Sequence, residues 1–258
     1  MPAIDVRHLA RRLHRIESIA WIPSVASTND LGRRVAVECI DNETPLPSAL
    51  IVAGEQTGGR GRGARRWHSP ACNGIYLTLL HRRKLPDLAL LPLEISILAA
   101  DFLREVYGIE ARLKWPNDLL IDGRKIAGIL IDARNTDDEA YLAIGIGINV
   151  QSIAGAEALP NATSIAEESS IERIDTGEAI EAFAEFLDQR LGDPSSPDQI
   201  LTRWNSLTIH QQGDAIECIV GDKTLRGRWG GIDDQGRAIL LSGEEKISIS
   251  AGDIVSPT

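Results

Sequence analysis

The chain has 258 residues, 43% hydrophobic and 25% charged, the make-up of an ordinary globular protein with room for one large domain and a small appendage. That excludes disordered, collagenous and disulfide-scaffold classes. With 37 acidic against 27 basic residues the formal net charge is −10, so a surface built throughout for nucleic acid is not expected and any polyanion site must be local.

In chain order, residues 1–22 are expected to form a short amphipathic helix carrying Arg7, Arg11, Arg12 and Arg15, with no apolar run of signal-peptide length behind it. Roughly 26 residues precede the first motif, too few for a winged helix-turn-helix. Ser27-Thr28-Asn29-Asp30 reads either as a helix cap before Leu31 or as a set of small donors and acceptors for a polar heterocycle. Ala49–Ala53 is a short β-branched apolar run ended by Gly54, a buried strand.

The loop from Gly54 to Trp67 follows directly, with Arg60, Arg62, Arg65 and Arg66 set among glycines. Glycines let a loop turn its N–H groups toward a ligand, and the arginines add focused positive charge, so the segment describes a cover for a phosphate. A dinucleotide fingerprint at Gly59, Gly61 and Ala64 fails because Arg65–Pro70 cannot open the apolar helix it needs. No Gly-Lys-Ser or Gly-Lys-Thr occurs, which removes a Walker loop. An RNA-binding arginine-glycine segment and a plain solvated basic loop remain as alternatives.

Ile75–Leu80 is a second strand, and a helix from about Leu88 carries Leu91, Ile95, Leu98, Phe102 and Val106 on one stripe before a stop at Gly108. From Arg112 to Val150 hairpins dominate, so the sheet is expected to be mixed or antiparallel. Lys114-Trp115-Pro116-Asn117-Asp118 sits in the first of these turns. Either the proline-fixed turn aims several polar groups at one point, or it is an ordinary turn with Lys114 in solvent. Lys125 opens a strand that Gly128 interrupts, and Gly145 and Gly147 alternate on another. Each glycine marks close approach to the backbone, by a ligand or by a packed element. Asp175 starts a helix closed by Gly192 and Pro194, and after Pro194-Ser195-Ser196-Pro197 a short helix spans Ile200 to Trp204. Short alternating runs from about Gly213 to the end describe a small β-barrel.

Cys39, Cys72 and Cys218 are odd in number and far apart, so neither a disulfide framework nor a zinc knuckle is expected and reduced cytosol is the default. His8, His14, His68, His81 and His210 show no metal spacing, and no G-x-S-x-G supports serine hydrolysis. No transmembrane span is expected, because Leu88 to Tyr107 is broken by Pro92 and by charges.

The order Ser-Thr-Asn, Gln-x-x-Gly-Arg-Gly-Arg, Trp, Lys-Trp-Pro-Asn-Asp, Lys-Ile-Ala-Gly-Ile-Leu and Gly-x-Gly-Ile-Asn, over roughly residues 24–150, closely resembles biotin protein ligases in the short form without a DNA-binding domain. Gly230–Gly236 resembles part of that family's C-terminal SH3-like barrel. The resemblance implies an α+β fold, a mixed β-sheet with flanking helices as in class II aminoacyl-tRNA synthetases and lipoate ligases. A catalytic domain is expected over 1–207 and an SH3-like domain over 208–258.

By resemblance the protein would activate biotin with ATP and Mg²⁺ to a biotinyl adenylate, releasing pyrophosphate. It would then transfer biotin to a lysine of a biotin carboxyl carrier protein. A cytoplasmic location, no DNA partner, no repressor role and a possible homodimer through sheet edges go with that reading. Ser27, Thr28 and Gln56, with the backbone at Gly59 and Arg60, would hold the ureido ring, and Trp67 would cover the ligand. Gly128, Leu130, Gly145 and Gly147 would line the tunnel for the valeryl chain. Arg62, Lys114 and Lys125 would face the phosphate, with Asn117 and Asn149 on the ATP side, and Lys125 also touching biotin. Asp118 would orient the incoming amine or a Mg²⁺.

The chain departs from the family where Gly63-Ala64-Arg65-Arg66 shifts a glycine of the loop, where Ile146 stands at a position small in some relatives, and where the tail from Ala251 to Thr258 has no arginine. Two other functions compete. One is a lipoate or octanoate ligase on the same fold, against which polar Ser27 and Gln56 weigh. The other is a module that binds biotin or its adenylate without turnover, against which the two lysines and Asp118 weigh.

Overall fold

A computed structural model describes residues 4–152, 159, 161–192 and 195–255. The chain opens with α1 (Val6–Ala10), β1 (Ser18–Ile22), α2 (Thr28–Asp41), β2 (Ala49–Ala53) and β3 (Gly74–Lys84). A 3-10 turn at Leu85–Leu88 leads into α3 (Leu91–Tyr107), then β4 (Arg112–Lys114), β5 (Asp118–Ile121), β6 (Arg124–Asn135) and β7 (Glu139–Asn149). After α4 (Ile165–Glu168), α5 (Thr176–Arg190) and α6 (Pro197–Leu207) come β8 (Ala215–Val220), β9 (Lys223–Ile232), β10 (Ala238–Ser242), β11 (Glu245–Ile249) and β12 (Asp253–Val255).

The first seven strands form one sheet in the order β1-β2-β3-β7-β6-β5-β4, parallel only between β1 and β2. This is the expected mixed sheet. Period-two alternation divides its faces. Leu50, Val52, Ile75, Leu77, Leu79, Leu142, Ile144, Ile146 and Ile148 belong to the main core with α3 and α5, where Phe102 packs on Phe183 at 4.7 Å between ring centroids. On the opposite face Ala49, Ile51, Leu80, Tyr141 and Ala143 pack under Ala36 of α2. Cover by α2 ends near its N-terminus, and the sheet face beyond it is where the arginine loop lies.

The N-terminal expectation is corrected. Among the described residues of this segment only the five of Val6–Ala10 are helical, and Ser18–Ile22 joins the sheet edge as β1. Ile4, Leu9, Leu13 and Ile16 are buried as their spacing suggests, but the backbone of residues 14–16 turns toward α5, where the Asp188 carboxylate accepts N–H bonds from His14, Arg15 and Ile16 at 2.9, 2.7 and 2.7 Å. Tertiary hydrogen bonding here overrides helix periodicity. The α3 and α6 helices begin at Leu91 and Pro197, the latter with a Ser196–Gln199 capping box. The expected stop at Pro194 lies outside the described residues, as do Ser256, Pro257 and Thr258 of the tail.

Burial alone would raise the Asp188 carboxyl, but the three N–H groups outweigh it and hold it below its ordinary 3.8. Asp188→Ala should therefore lower the unfolding free energy by about 3 kcal/mol, as one buried and two part-buried N–H donors lose their acceptor. A carboxyl lowered on folding contributes stability above its unfolded pKa and loses it as pH falls through the folded value. Urea titrations of wild type and variant should therefore differ fully at pH 7 and begin to converge only as pH falls below about 4.

The last five strands form an antiparallel sheet in the order β11-β10-β9-β8-β12, consistent with the expected SH3-like domain. It docks against β4. The Ile209 N–H donates to the Leu113 carbonyl at 2.9 Å, and the Trp115 indole N–H donates to the Gly236 carbonyl at 3.0 Å. His210, driven to about 4 by burial with the Lys114 cation adding to the effect, stacks on Trp229 at 4.7 Å. Among the described residues no helix is long and apolar enough to cross a membrane.

Candidate functional site

Strand register assembles the site. Lys114 pairs with Asp118, Asp118 with Gly128, and Gly128 with Gly147, so these four stand in one row across four strands, on one face of the sheet. The next row holds Leu130 and Gly145, facing Thr78 of β3, and the third holds Asp132 and Ala143. Lys125 reaches the first row by its side chain, its Nζ 2.6 Å from Asp118 Oδ1. The Lys-Trp-Pro-Asn-Asp turn contains a cis Trp115–Pro116 bond, and Asn117 exchanges backbone and side-chain hydrogen bonds with Ile129 of β6.

The arginine loop closes over this face. It folds back on itself through an Arg60–Arg66 bridge and a Trp67 N–H to Gly59 carbonyl bond of 3.0 Å. A Cβ on Gly59 would lie 2.8 Å from Ser69 Oγ, so the close approach needs glycine there. The Trp67 indole lies against the glycine strip: a Cβ on Gly147 would stand 2.6 Å from its Cε2, and one on Gly128 3.1 Å from its Cζ3. The ring thus lies over the strip at Gly128 and Gly147, and both glycines still line a cavity with it. Lys125 Nζ lies 5.2 Å from the Trp67 ring centroid, within cation–π range.

Trp67 thereby separates two cavities. One, of about 100 Å³, is lined by Ser27, Thr28 and Gln56 at one end and by Arg62, Asp118 and Lys125 at the other, with Gly128, Leu130, Gly145 and Gly147 between. The second, of about 490 Å³, lies beyond Trp67 and Lys125 and is walled by Gly59, Asn149, Asn161 and Ala162. The Asn149 side chain donates to the Lys125 and Thr163 carbonyls, at 3.2 and 2.9 Å, which fixes the base of the lysine.

The polar end of the first cavity is tightly bonded. Gln56 Oε1 accepts from the Thr28 N–H and hydroxyl at 2.9 and 3.1 Å, Gln56 Nε2 donates to Ser69 Oγ at 3.0 Å, and the Thr78 hydroxyl donates to that of Thr28 at 2.9 Å. Ser27 Oγ accepts from the Asp30 N–H, so the cap reading of that motif is met. Asn29 is different. Its Nδ2 donates to the Leu130 and Ala143 carbonyls, while its Oδ1 is buried without a partner. A buried unbonded acceptor costs on the order of 1–3 kcal/mol, which a ligand donor would recover.

At the charged end, burial holds the Lys114 ammonium below its ordinary range, opposed by the Asp118 carboxylate and reinforced by the Lys125 and Arg65 cations. Burial, then Arg65, lowers Arg62 in the same way. Arg62 Nη1 donates to the Gly252 carbonyl at 2.9 Å and lies 3.6 Å from Asp253 Oδ1, and Arg65 is ion-paired with the same carboxylate. Where the sequence offered no basic group, β12 thus presents an acid that holds two loop cations. Arg60 points elsewhere, with Nη1 2.7 Å from Asp30 Oδ1.

The structure thus brings together Ser27, Thr28, Gln56, Arg62, Trp67, Asn117, Asp118, Lys125 and the glycine strip. Lys114 stands in the same row but is not among the residues that line the cavity, Gly59 and Asn149 face the second cavity, and the Arg60 side chain turns to Asp30. Sequence reasoning passed over Asn29, Thr78, Asp132 and Asp253. Asn29 lay inside a motif already noted and Asp132 two residues past Leu130 on the same strand face. Asp253 carried no signal.

The chain matches the family described as Biotin/lipoate A/B protein ligase family over residues 21–149 and the Biotin protein ligase C terminal domain over 213–255. It is 30% identical to the biotin--[acetyl-CoA-carboxylase] ligase of Mycobacterium tuberculosis, across 98% of this chain and 96% of that one. It is 31% identical to the bifunctional ligase/repressor BirA of Bacillus spizizenii, across 86% and 70%. Among solved structures it superposes on the Aquifex aeolicus biotin protein ligase in complex with biotin and ATP with a TM-score of 0.70 and 25% identity, over 93% of this chain and 98% of that one.

Proposed function

The chain belongs to the biotin/lipoate A/B protein ligase family and is a ligase, and from that premise we propose that it activates biotin with ATP and passes the biotinyl group to a carrier lysine. A carboxylate oxygen of biotin attacks the α-phosphorus of ATP and the bond to pyrophosphate breaks. The carrier amine then attacks the acyl carbon, loses a proton, and AMP leaves. Both steps concentrate negative charge at one phosphate, and such transfers depend on positioned cations.

The observation that carries this reading is that one narrow cavity joins a hydrogen-bonding end at Ser27, Thr28, Asn29 and Gln56 to a cationic end at Arg62 and Lys125 across a floor of glycines. In the proposal Thr28, Asn29 and Gln56, with Ser27 and the Gly59–Arg60 backbone, receive the ureido ring. The valeryl chain runs over Gly128, Leu130, Gly145 and Gly147. Lys125, Lys114 and Arg62 take up phosphate charge, with Asn117 beside them. The adenine occupies the cavity beside Asn149 and Trp67. Asp118, already bonded to Lys125, orients the incoming amine. Mg²⁺ would enter with ATP as its counter-cation, with the Asp118 carboxylate at the charged end of the cavity.

The catalytic unit in this proposal is 1–207 and the SH3-like unit 208–258, and the three free thiols fit a cytoplasmic setting. The proposal predicts that protein, biotin, ATP and Mg²⁺ together add one biotinyl group to a biotin carboxyl carrier domain, read by intact mass. An unchanged carrier mass rejects it. Lipoic acid in place of biotin should leave the carrier unmodified, because the Thr28–Gln56–Thr78 network and the orphan Asn29 oxygen answer the N–H groups of a urea and find none on a dithiolane.

A further inference from the structure

Trp67 carries a polar atom that covering a ligand does not use. Its backbone is tied at both groups: the N–H donates to the Gly59 carbonyl at 3.0 Å, and the carbonyl accepts from the Ser69 hydroxyl at 3.3 Å. The indole Nε1 is different. It is buried and, among the described residues, has no hydrogen-bond partner. A buried indole N–H normally finds an acceptor, as that of Trp115 does in the Gly236 carbonyl at 3.0 Å. An unpaired one is a cost that an acceptor on a ligand would remove.

The place of this N–H selects the acceptor. A Cβ on Gly147 would stand 2.7 Å from Nε1, so the N–H lies over the row of Asp118, Gly128 and Gly147. The Lys125 ammonium reaches the same row, 2.6 Å from Asp118 Oδ1. Biotin offers a ureido oxygen, a weakly accepting thioether sulfur and a carboxylate. With the ureido ring held at Thr28, Asn29 and Gln56, the carboxylate is the acceptor that arrives at this row. The Lys125 cation, 5.2 Å from the ring centroid, draws π density from the indole and makes its N–H a stronger donor.

We infer that the Trp67 indole N–H is a catalytic hydrogen-bond donor to the biotin carboxyl oxygen that does not attack phosphorus. That oxygen becomes the carbonyl oxygen of the adenylate. In the transfer step the carrier nitrogen bonds to the acyl carbon and the C=O π pair moves onto this oxygen, where the N–H meets the developing charge. The pair then returns, the bond between the acyl carbon and the phosphate oxygen breaks, and AMP leaves with its electrons. The added nitrogen gives its proton to water. This role rests on the ligase reading above and deepens it, because it gives Trp67 a part in the second step.

The decisive variant removes the N–H and keeps the ring. Trp67→benzothienylalanine, placed by codon suppression, puts sulfur where Nε1 stands, and Trp67→Phe removes the N–H together with part of the ring. Purified biotinyl adenylate is mixed with excess enzyme and a biotin carboxyl carrier domain, and the carrier mass is followed in time. Pyrophosphate release from biotin, ATP and Mg²⁺ is followed separately in the first turnover. Transfer should be about tenfold slower in the benzothienyl variant, the scale of one neutral hydrogen bond made in the transition state. Pyrophosphate release should change by less than about threefold, since in that step charge leaves the oxygen that the N–H holds. Trp67→Phe should lose at least as much in transfer.

Transfer at the wild-type rate in the benzothienyl variant overturns the catalytic N–H. Equal slowing of both steps also overturns it and makes the indole a cover alone. Either result leaves the ligase reading intact. A wild type that neither releases pyrophosphate with biotin nor uses the adenylate removes the ligase reading and this role with it. Thermal unfolding within a few degrees of wild type checks that each variant is folded.

Discussion

Replacing Lys125 with alanine is expected to lower biotin-dependent pyrophosphate release at least tenfold, since one charge-assisted contact contributes about 1.5–3 kcal/mol. The expectation follows from how this lysine is held. Its N–H donates to the Asn161 carbonyl, and its own carbonyl accepts from the Thr163 N–H and the Asn149 side chain. The backbone is thus fixed from three directions, and truncation removes the ammonium without releasing the strand. What disappears is the cation between Asp118 and the Trp67 ring, at the point where the charged end of one cavity meets the second. Lys114 offsets the loss only in part, because it is not among the residues that line the cavity and burial holds its ammonium below the ordinary range. Arg62 and Arg65 are engaged by the acid of β12. Single-turnover pyrophosphate release at saturating biotin and ATP measures the effect, and a full wild-type rate removes Lys125 from the mechanism.

The alternation of apolar residues and the turn signals at Asp122-Gly123 made the hairpins from Arg112 to Val150 legible, and with them the row that places Lys114, Asp118, Gly128 and Gly147 side by side. The glycines announced a bare strip of backbone. Which body covers that strip was not legible, because a side chain distant in sequence, Trp67, arrives through loop closure that no local pattern encodes. The same limit applies to the arginines. Arg60 and Arg62 are two positions apart and chemically identical, yet one meets Asp30 and the other meets Gly252 and Asp253. Their directions are set by carboxylates contributed by α2 and by the C-terminal sheet, distant in sequence. At the N-terminus the buried Ile4, Leu9, Leu13 and Ile16 imitate helix spacing, but the Asp188 carboxylate and the edge of β2 claim the backbone first.

Gly147→Ala carries the other large expected effect. The added methyl would stand 2.6–2.9 Å from Cε2, Nε1 and Cζ2 of the Trp67 indole, where carbon contacts settle at about 3.5–4.0 Å. The ring must rise by roughly an ångström, and the strip beneath it thickens by the same amount. Gly147 lies outside the two hydrophobic clusters that stabilise the sheet, and β7 remains paired on both sides, so unfolding should change little. Chemistry should change greatly. A displacement of about 1 Å in a positioned site lowers rates on the order of a hundredfold, and both the Trp67–Lys125 contact and the path along the strip are disturbed together. The steady-state rate of carrier biotinylation reads the loss, and the indole's fluorescence maximum reads the displacement. Trp67→Phe added to Gly147→Ala should recover part of the rate, since a smaller ring leaves room for the methyl. If Gly147→Ala alone runs at the wild-type rate, no ligand travels over that strip.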